Sequence, residues 1–265
     1  MKSIDLNCDM GELPEAIADG TQEALMQCIT STNVACGGHA GDEQMMRATI
    51  EQALRYNVAI GAHPGYEDRQ NFGRVELQLA PEEVAGSVEA QIRALDDVAR
   101  TCSAQIVHVK AHGALYNQAA RDRVVAGAIA EGVRRWRTDV ILVGLAGSVM
   151  LDEFQSAGFR TVAEAFADRR YEPDGSLRAR KHCDALLADP QVAAEQALQI
   201  VERSSVIASN GALIPLVAQT LCLHGDTPGA PAIAAAIRRR LKTAKIRLAP
   251  LGVGGANGND ENNAP

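Results

Sequence analysis

Residues 4–12 read Ile-Asp-Leu-Asn-Cys-Asp-Met-Gly-Glu, a short strand-like segment near the start of a 265-residue chain. Successive side chains of a strand point to opposite faces, so Asp5, Asn7 and Asp9 share one face and apolar residues occupy the other. Buried parallel strands are normally apolar on both faces, and inward polar groups must bond each other or serve a site. We therefore expect Asp5, deepest in the strand, to be structural and Asp9, nearest its open end, to be functional.

Six further short apolar runs also end in polar residues, and helical patterns separate almost every run from the next. Strands that alternate with helices predict βα units and a parallel sheet. Polar side chains gathered at one end of many strands are how a β/α barrel presents an active site. We predict one domain over residues 1–251, an α/β fold built as an irregular, TIM-like parallel β/α barrel of seven strands. The predicted strands are residues 4–8, 32–36, 58–63, 105–110, 140–145, 160–166 and 220–224.

Helix signals accompany these strands. Asp42 is placed to cap one helix, and Pro81 stands at the first turn of another. Further helices are expected near residues 119–136, 148–157 and 189–202, and a last one after Thr227, which is a candidate cap. Residues 206–217 look like an additional hairpin. The Gly- and Asn-rich residues 252–265 have nothing to pack and are expected to form a flexible tail.

Composition excludes several partner classes. A net charge of −7 and few aromatic residues argue against nucleic acid and against an anionic membrane surface. The sequence contains no membrane-span-like run, and its start lacks the apolar segment of a signal peptide. The six cysteines include no Cys-x-x-Cys pair, which indicates reduced thiols and a cytoplasmic location. A catalytic thiol at Cys8 or Cys36 is the alternative to core packing.

The fourth run repeats the polar alternation of the first, with His108, Lys110 and His112 on one face. A lysine at a barrel rim can bind a phosphate, a carboxylate or a developing oxyanion. We expect Lys110 and His112 to be functional and His108, which lies deeper, to be structural. The alternative for Lys110 is a purely structural ion pair with Asp9 or Glu164.

Two histidines follow neighbouring strands, His39 in a Gly-rich turn and His63 in Gly-Ala-His-Pro-Gly. With Asp9 they form a candidate site for zinc or another divalent metal at the barrel mouth, because imidazole and carboxylate are suitable ligands. An exposed histidine in a tight βα turn is the competing interpretation.

The loop after the sixth strand is strongly polar and includes Glu164, Asp168 and Arg169, while His224 closes the seventh strand. One of the carboxylates could act as a general base, although a solvated loop with internal ion pairs explains the same residues. The sequence contains neither a Gly-x-x-x-x-Gly-Lys-Ser/Thr phosphate loop nor a Gly-x-Ser-x-Gly nucleophile turn.

Six segments, in chain order, together resemble the LamB/YcsF family, the A subunit of bacterial ATP-dependent 5-oxoprolinase. The segments are DLNCDMGE (5–12), NVACGGHAGD (33–42), GAHPGY (61–66) with FGR (72–74), HGALYN (112–117), EAFADR (164–169) with Tyr171 and DG (174–175), and HGDTP (224–228). They span nearly the whole chain. Two departures stand out: Ala111 where the family usually has Pro, and residues 182–185 (HCDA) where it has Pro-Gly-Ala.

The resemblance implies an irregular seven-stranded β/α barrel similar to that of polysaccharide deacetylases. It also implies ATP-dependent opening of the 5-oxoproline lactam to L-glutamate, together with B and C subunits. ATP would bind with Mg²⁺.

On this basis the expected site residues fall into two sets. The expected catalytic residues are Asp9, Lys110, His112 and Glu164. The expected substrate-binding residues are Asn7, Glu12, Arg74, Asp168, Arg169 and His224. Lys110, Arg169 and Mg²⁺ would surround the phosphoryl group, Asp9 or Glu164 would deprotonate water, and Arg74 would hold the substrate carboxylate.

The sequence is also compatible with two other functions. One is a metal-dependent amidohydrolase or deacetylase that uses Asp9, His39 and His63 without ATP. The other is a non-catalytic scaffold subunit whose barrel rim binds partner proteins.

Overall fold

The computed structural model describes residues 2–252, so the expected tail lies outside the described residues except for Gly252. Seven parallel strands form a closed barrel, which confirms the predicted fold. Within the described residues the strands are β1 (Ser3–Met10), β2 (Ser31–Ala35), β3 (Ala59–His63), β4 (Ile106–Lys110), β5 (Ile141–Leu145), β6 (Arg160–Phe166), β7 (Ser205–Ile207), β8 (Leu213–Pro215), β9 (Thr220–His224) and β10 (Arg247–Leu248). The helices of this region are α1 (Pro14–Ala18), α2 (Thr21–Met26), α3 (Glu43–Arg55), α4 (Pro81–Thr101), α5 (Gly113–Ala119), α6 (Arg123–Trp136), α7 (Val149–Ser156), α8 (Pro190–Arg203) and α9 (Ala230–Thr243).

The barrel closes through β9, which pairs with β6 on one side and with β1 on the other. Thr220 of β9 is in register with both Asp5 and Glu164. Strand β10 adds a short parallel pairing at the start of β1. The predicted hairpin is confirmed, since β7 and β8 pair in antiparallel fashion.

The helix signals are confirmed where a side chain makes the cap. The Asp42 carboxylate accepts a hydrogen bond from the Met45 amide at 2.8 Å, and Pro81 begins α4. The expected cap at Thr227 is wrong. Its hydroxyl donates to the carboxylate of Asp168 at 3.1 Å, and α9 begins later, after Gly229.

The sequence does not predict the shortest elements. Helices α1 and α2 have five and six residues, too few to show an apolar periodicity, and β10 has two. Helix α5 begins directly after His112, at a Gly113 that reads as a turn residue. None of the helices found between residues 2 and 252 has the length and apolar character that a bilayer crossing requires.

The barrel interior contains the polar cluster that β1 predicts. Asp5 accepts hydrogen bonds from the hydroxyls of Thr30, Ser31 and Thr220. Burial raises the pKa of Asp5 to about 6, and the three hydroxyl donors limit this rise because their hydrogen bonds favour the ionised carboxylate. Asp5 is thus structural, as expected.

Cys8 and Cys36 are buried thiols. Burial raises the pKa of Cys8 well above its usual range and that of Cys36 to about 12. Both therefore stay protonated at neutral pH, which supports core packing over a nucleophilic role.

Helices α4 and α6 pack tightly at Gly132, which gives a test of the packing. A Cβ at this position would lie 2.5 Å from the carbonyl oxygen of Ala85 and 2.9 Å from Cβ of Val88. We expect Gly132→Ala to lower the free energy of unfolding by about 1–3 kcal/mol because the helices must separate. In the matched control Gly86→Ala, the new Cβ meets nothing within 4 Å, so the variant should gain roughly 0.5–1 kcal/mol. Urea denaturation measures both, and a Gly132→Ala variant as stable as Gly86→Ala would contradict the packing.

Candidate active site

A cleft of about 830 Å³ opens at the carboxyl ends of the barrel strands. Its floor includes Asp9 and Lys110, and its walls include His63, His112 and His224. These residues follow or end β1, β3, β4 and β9, the positions that parallel barrels use for active sites.

Lys110 lies at the centre of the floor with only 2% of its surface exposed. Its Nζ is 2.9 Å from Oδ1 of Asp9, 3.1 Å from Oε1 of Glu164 and 3.1 Å from Sγ of Cys222. Burial alone would lower the pKa of Lys110, but the two carboxylates outweigh it and hold the pKa well above the usual range. Lys110 is therefore a fixed positive charge.

Asp9 links this lysine to the histidines. Its Oδ1 also accepts from the Asn33 amide at 2.7 Å, and its Oδ2 lies 3.3 Å from Nε2 of His63. Burial would raise the pKa of Asp9, whereas His63 and Lys110 together lower it well below its usual range. Asp9 is thus an ionised carboxylate at the edge of the cleft.

Glu164 lies behind Lys110 and is fully buried. Its Oε1 accepts from the side chain of Asn7 at 2.9 Å. Asn33 donates to Asn7 at 2.8 Å and accepts from His108 at 2.8 Å. This layer connects four barrel strands and holds the two carboxylates on either side of the lysine.

A cluster of four side chains borders the floor: Glu12, His39, His63 and His112. The rings of His39 and His112 stack with centroids 3.6 Å apart, and His63 stands edge-on to both. Burial lowers the pKa of His39 to about 4, so this imidazole is neutral at pH 7. A Cβ on Gly73, whose φ is +62°, would lie 2.7 Å from Cβ of His39, so a glycine is required behind the stack.

At the carboxyl ends of β6 and β9, Asp168 and His224 form a pair. Nδ1 of His224 is 3.0 Å from Oδ1 of Asp168, whose Oδ2 accepts from the His224 amide and from Thr227. The His224 ring stacks on Phe166. Asp168 is fully buried, so it orients His224 and is not open to a ligand.

Arginines line the outer part of the cleft: Arg74, Arg121, Arg169 and Arg180. Arg74 and Arg180 both contact the same carboxylate oxygen of Asp226. Nε of Arg169 is buried and has no hydrogen-bond partner among the described residues. Burial, with Arg180 nearby, lowers the pKa of Arg169 to about 10, which still leaves it charged at pH 7.

The structure brings seven of the residues singled out from the sequence to the cleft: Asp9, His63, Arg74, Lys110, His112, Arg169 and His224. The other five do not line the cleft: Asn7, Glu12, His39, Glu164 and Asp168. The sequence predicts no role for Asn33, Arg180 or Tyr116. The period-two pattern of β2 could have indicated Asn33, which shares a face with Ser31.

Two groups of side chains in the described part of the chain could hold a metal ion, because the ligand atoms of each group lie within 4.8 Å of one another. The first group is Glu12, His39, His63 and His112, and the second is Asp9, Cys222 and His224. The metal set expected from the sequence is thereby divided, since His39 and His63 belong to the first group and Asp9 to the second.

Comparison with known proteins agrees with this architecture. The chain is 50% identical over 248 residues to the A subunit of 5-oxoprolinase from Chloroflexus aggregans, covering 94% of this chain and 98% of the relative. It is 47% identical over 251 residues to the A subunit of 5-oxoprolinase from Methylococcus capsulatus, covering 95% and 96%. The crystal structure of the lactam utilization protein from Thermus thermophilus superposes with a TM-score of 0.86 at 40% identity, covering 94% and 99%.

The sequence model of the LamB/YcsF family matches residues 4–254. The family's sequence pattern extends over nearly the whole chain, and one relative is 50% identical to it. The chain therefore belongs to the LamB/YcsF family.

Proposed function

We propose that this chain is the A subunit of an ATP-dependent 5-oxoprolinase, which opens the 5-oxoproline lactam to L-glutamate. One observation carries the proposal: a buried lysine and an ionised aspartate share the floor of a cleft that four arginines line. The names of the relatives and of the similar solved structure support the same cyclic amide as substrate.

The chemistry explains why such a cleft needs many cations. A five-membered lactam is a resonance-stabilised amide that water attacks slowly. Phosphoryl transfer from ATP to the amide oxygen makes the ring carbon more electrophilic; water then adds and the ring C–N bond breaks. A second water releases phosphate, so one 5-oxoproline, one ATP and two waters give glutamate, ADP and phosphate.

The residues present suit these steps. Lys110 and Arg169, together with Mg²⁺ brought by ATP, would stabilise the transferring phosphoryl group. Arg169 lines the cleft, and its Nε has no hydrogen-bond partner in the described part of the chain. The cleft of about 830 Å³ far exceeds the volume of 5-oxoproline, which supports a site that also admits phosphate groups.

Of the two candidate bases, we assign the role to Asp9. Asp9 borders the cleft, whereas Glu164 is fully enclosed behind Lys110. Glu164 then acts as a positioning residue that holds the Lys110 ammonium. His112 also borders the cleft, and the proton that Asp9 takes from water is available to the ring nitrogen as the C–N bond breaks.

Glutamate release tests the assignment. The purified chain is combined with the B and C subunits, which we propose as partners, and incubated with 5-oxoproline with and without ATP. We expect ATP-dependent glutamate that disappears when this chain is omitted. No release with all three subunits folded would contradict the function. The free cysteines support our proposal that the complex works in the reducing cytoplasm.

Substrate binding gives a second test, at Arg74. We propose that the substrate carboxylate replaces Asp226 on the Arg74 guanidinium. Arg74→Ala should raise KM for 5-oxoproline roughly 10–100-fold with little change in kcat, because a charge-assisted hydrogen bond is lost in ground and transition states alike. Steady-state kinetics of the assembled enzyme measure both constants, with the exposed Arg239→Ala as control. A fall in kcat at constant KM would instead place Arg74 in the chemical step.

A further inference from the structure

We propose that His63, His112 and Glu12 bind a divalent transition metal ion, with zinc the best fit, and that His39 positions Glu12. This site goes beyond lactam opening. Its existence is tested by metal binding alone, whatever substrate the chain acts on.

The hydrogen bonds of two histidines determine which nitrogens face the site. Nδ1 of His63 lies 2.8 Å from the carbonyl oxygen of Lys110, and Nε2 of His112 lies 3.0 Å from the carbonyl oxygen of Phe72. A carbonyl oxygen can only accept, so both of these nitrogens carry hydrogen. In the neutral form that a metal ion requires, the rings therefore present lone pairs at Nε2 of His63 and Nδ1 of His112. Backbone carbonyls commonly orient metal-binding histidines in this way.

With both rings neutral, the atoms that converge on the site are all acceptors. Nδ1 of His112 lies 3.0 Å from Nε2 of His63 and 3.2 Å from Oε1 of Glu12, and the latter two atoms are 3.9 Å apart. Two lone pairs and a carboxylate oxygen at these distances repel one another unless a cation lies between them. A proton bridges only two of the three atoms, whereas a metal ion satisfies all three.

The size of the triangle fits a metal. The point equidistant from the three atoms lies about 2.0 Å from each, the bond length of zinc to histidine nitrogen and carboxylate oxygen. Two nitrogens and one oxygen are also a donor set that zinc favours. Three protein ligands leave a coordination position open, as in catalytic zinc sites.

His39 has a different role from the other histidines. Its ring lies parallel to that of His112 at 3.6 Å, and a metal lies in the plane of each imidazole that binds it, so the stacked rings cannot both be ligands as placed. Nε2 of His39 is instead 3.0 Å from Oε1 of Glu12, where it can donate and orient the carboxylate. We therefore assign His39 as a positioning residue.

The open side of the site faces the cleft. His63 and His112 line the cleft, and Oδ2 of Asp9 is 3.3 Å from Nε2 of His63. A water or substrate oxygen on the metal would thus lie beside the carboxylate that we propose as the base.

Metal titration of the isolated chain tests the proposal. Protein stripped with a chelator is titrated with Zn²⁺, and with Co²⁺ to observe visible absorption bands, without 5-oxoproline or ATP. We expect one equivalent to bind. His63→Ala, His112→Ala and Glu12→Ala should each weaken binding by at least about 100-fold, and His39→Ala by about 10–100-fold. The exposed His182→Ala and Glu15→Ala are matched controls that should bind as the unaltered chain does.

Several results would overturn the proposal. These are less than one equivalent in the folded unaltered chain, equal loss in His182→Ala, or normal binding in His112→Ala. Loss in Cys222→Ala with normal binding in His63→Ala would also do so, because it would place the ion at the other group of ligands. Circular dichroism identifies variants that fail to fold, and Glu12→Gln and His112→Gln then replace the alanines. Metal binding without glutamate release would overturn the proposed function and leave this site intact.

Discussion

Lys110→Ala should abolish ATP-dependent glutamate release, lowering kcat roughly 10³-fold or more, because a cation aimed at a transferring phosphoryl group contributes at that scale. The variant should also be less stable. It leaves the buried carboxylates of Asp9 and Glu164 without their shared counter-charge, which typically costs about 3–5 kcal/mol. For a protein of this size, that corresponds to a fall in Tm of roughly 6–20 °C.

The two effects are separated by measurement. Turnover of the assembled enzyme is compared per folded chain, at a temperature below the Tm of the variant found by calorimetry. The control is Lys181→Ala, which removes an exposed lysine and should change neither quantity. Lower stability with full turnover would show that Lys110 is only structural. Its ion pairs with Asp9 and Glu164 would then stabilise the fold without taking part in the reaction.

Asp9→Asn should lower kcat by roughly 10²–10⁴-fold, the usual contribution of a general base, while the fold persists. The amide oxygen can still accept from Lys110 and Asn33, and the amide nitrogen can face His63, so the shape of the site is retained. The charge that would take a proton from water is lost. Steady-state kinetics of the assembled enzyme across pH measure the change, with the exposed Asp97→Asn as control.

Glu164→Gln distinguishes the two candidate bases. Because Glu164 is enclosed behind Lys110, its neutral variant should affect stability more than kcat. If Glu164→Gln abolished turnover and Asp9→Asn did not, the base would be Glu164 and the cleft floor would have to open during the reaction.

Much of the architecture can be predicted from the sequence because strand ends carry strong local signals. The alternation in 4–12 predicts which side chains point inward, and the structure places Asp5 in the polar cluster of the barrel interior and Asp9 at the cleft floor. Strand order follows from right-handed βα connections between neighbours. Helix α5 cannot be predicted in this way, because its seven residues have no room for an apolar stripe.

The details of the site depend on contacts that strand positions do not determine. Asp9 turns toward Lys110, a residue 101 positions away, which draws its Oδ1 out of the metal set expected from the sequence. Glu12 follows Gly11, whose φ of +72° turns the chain back so that the carboxylate reaches His39. Arg180 belongs to a long irregular loop, and only the folded chain brings it to Asp226.

The polar cluster in the barrel interior also affects the rates of folding and unfolding. Asp5 and Asn7 are hydrogen-bonded to Thr220, which lies 215 and 213 residues further along the chain. We expect contacts with such a long sequence separation to form only after β9 has docked, late in folding, when most of the loop-closure entropy has been lost. Interactions absent from the folding transition state slow unfolding without speeding folding. These hydrogen bonds therefore lower the unfolding rate of the closed barrel more than they raise its folding rate.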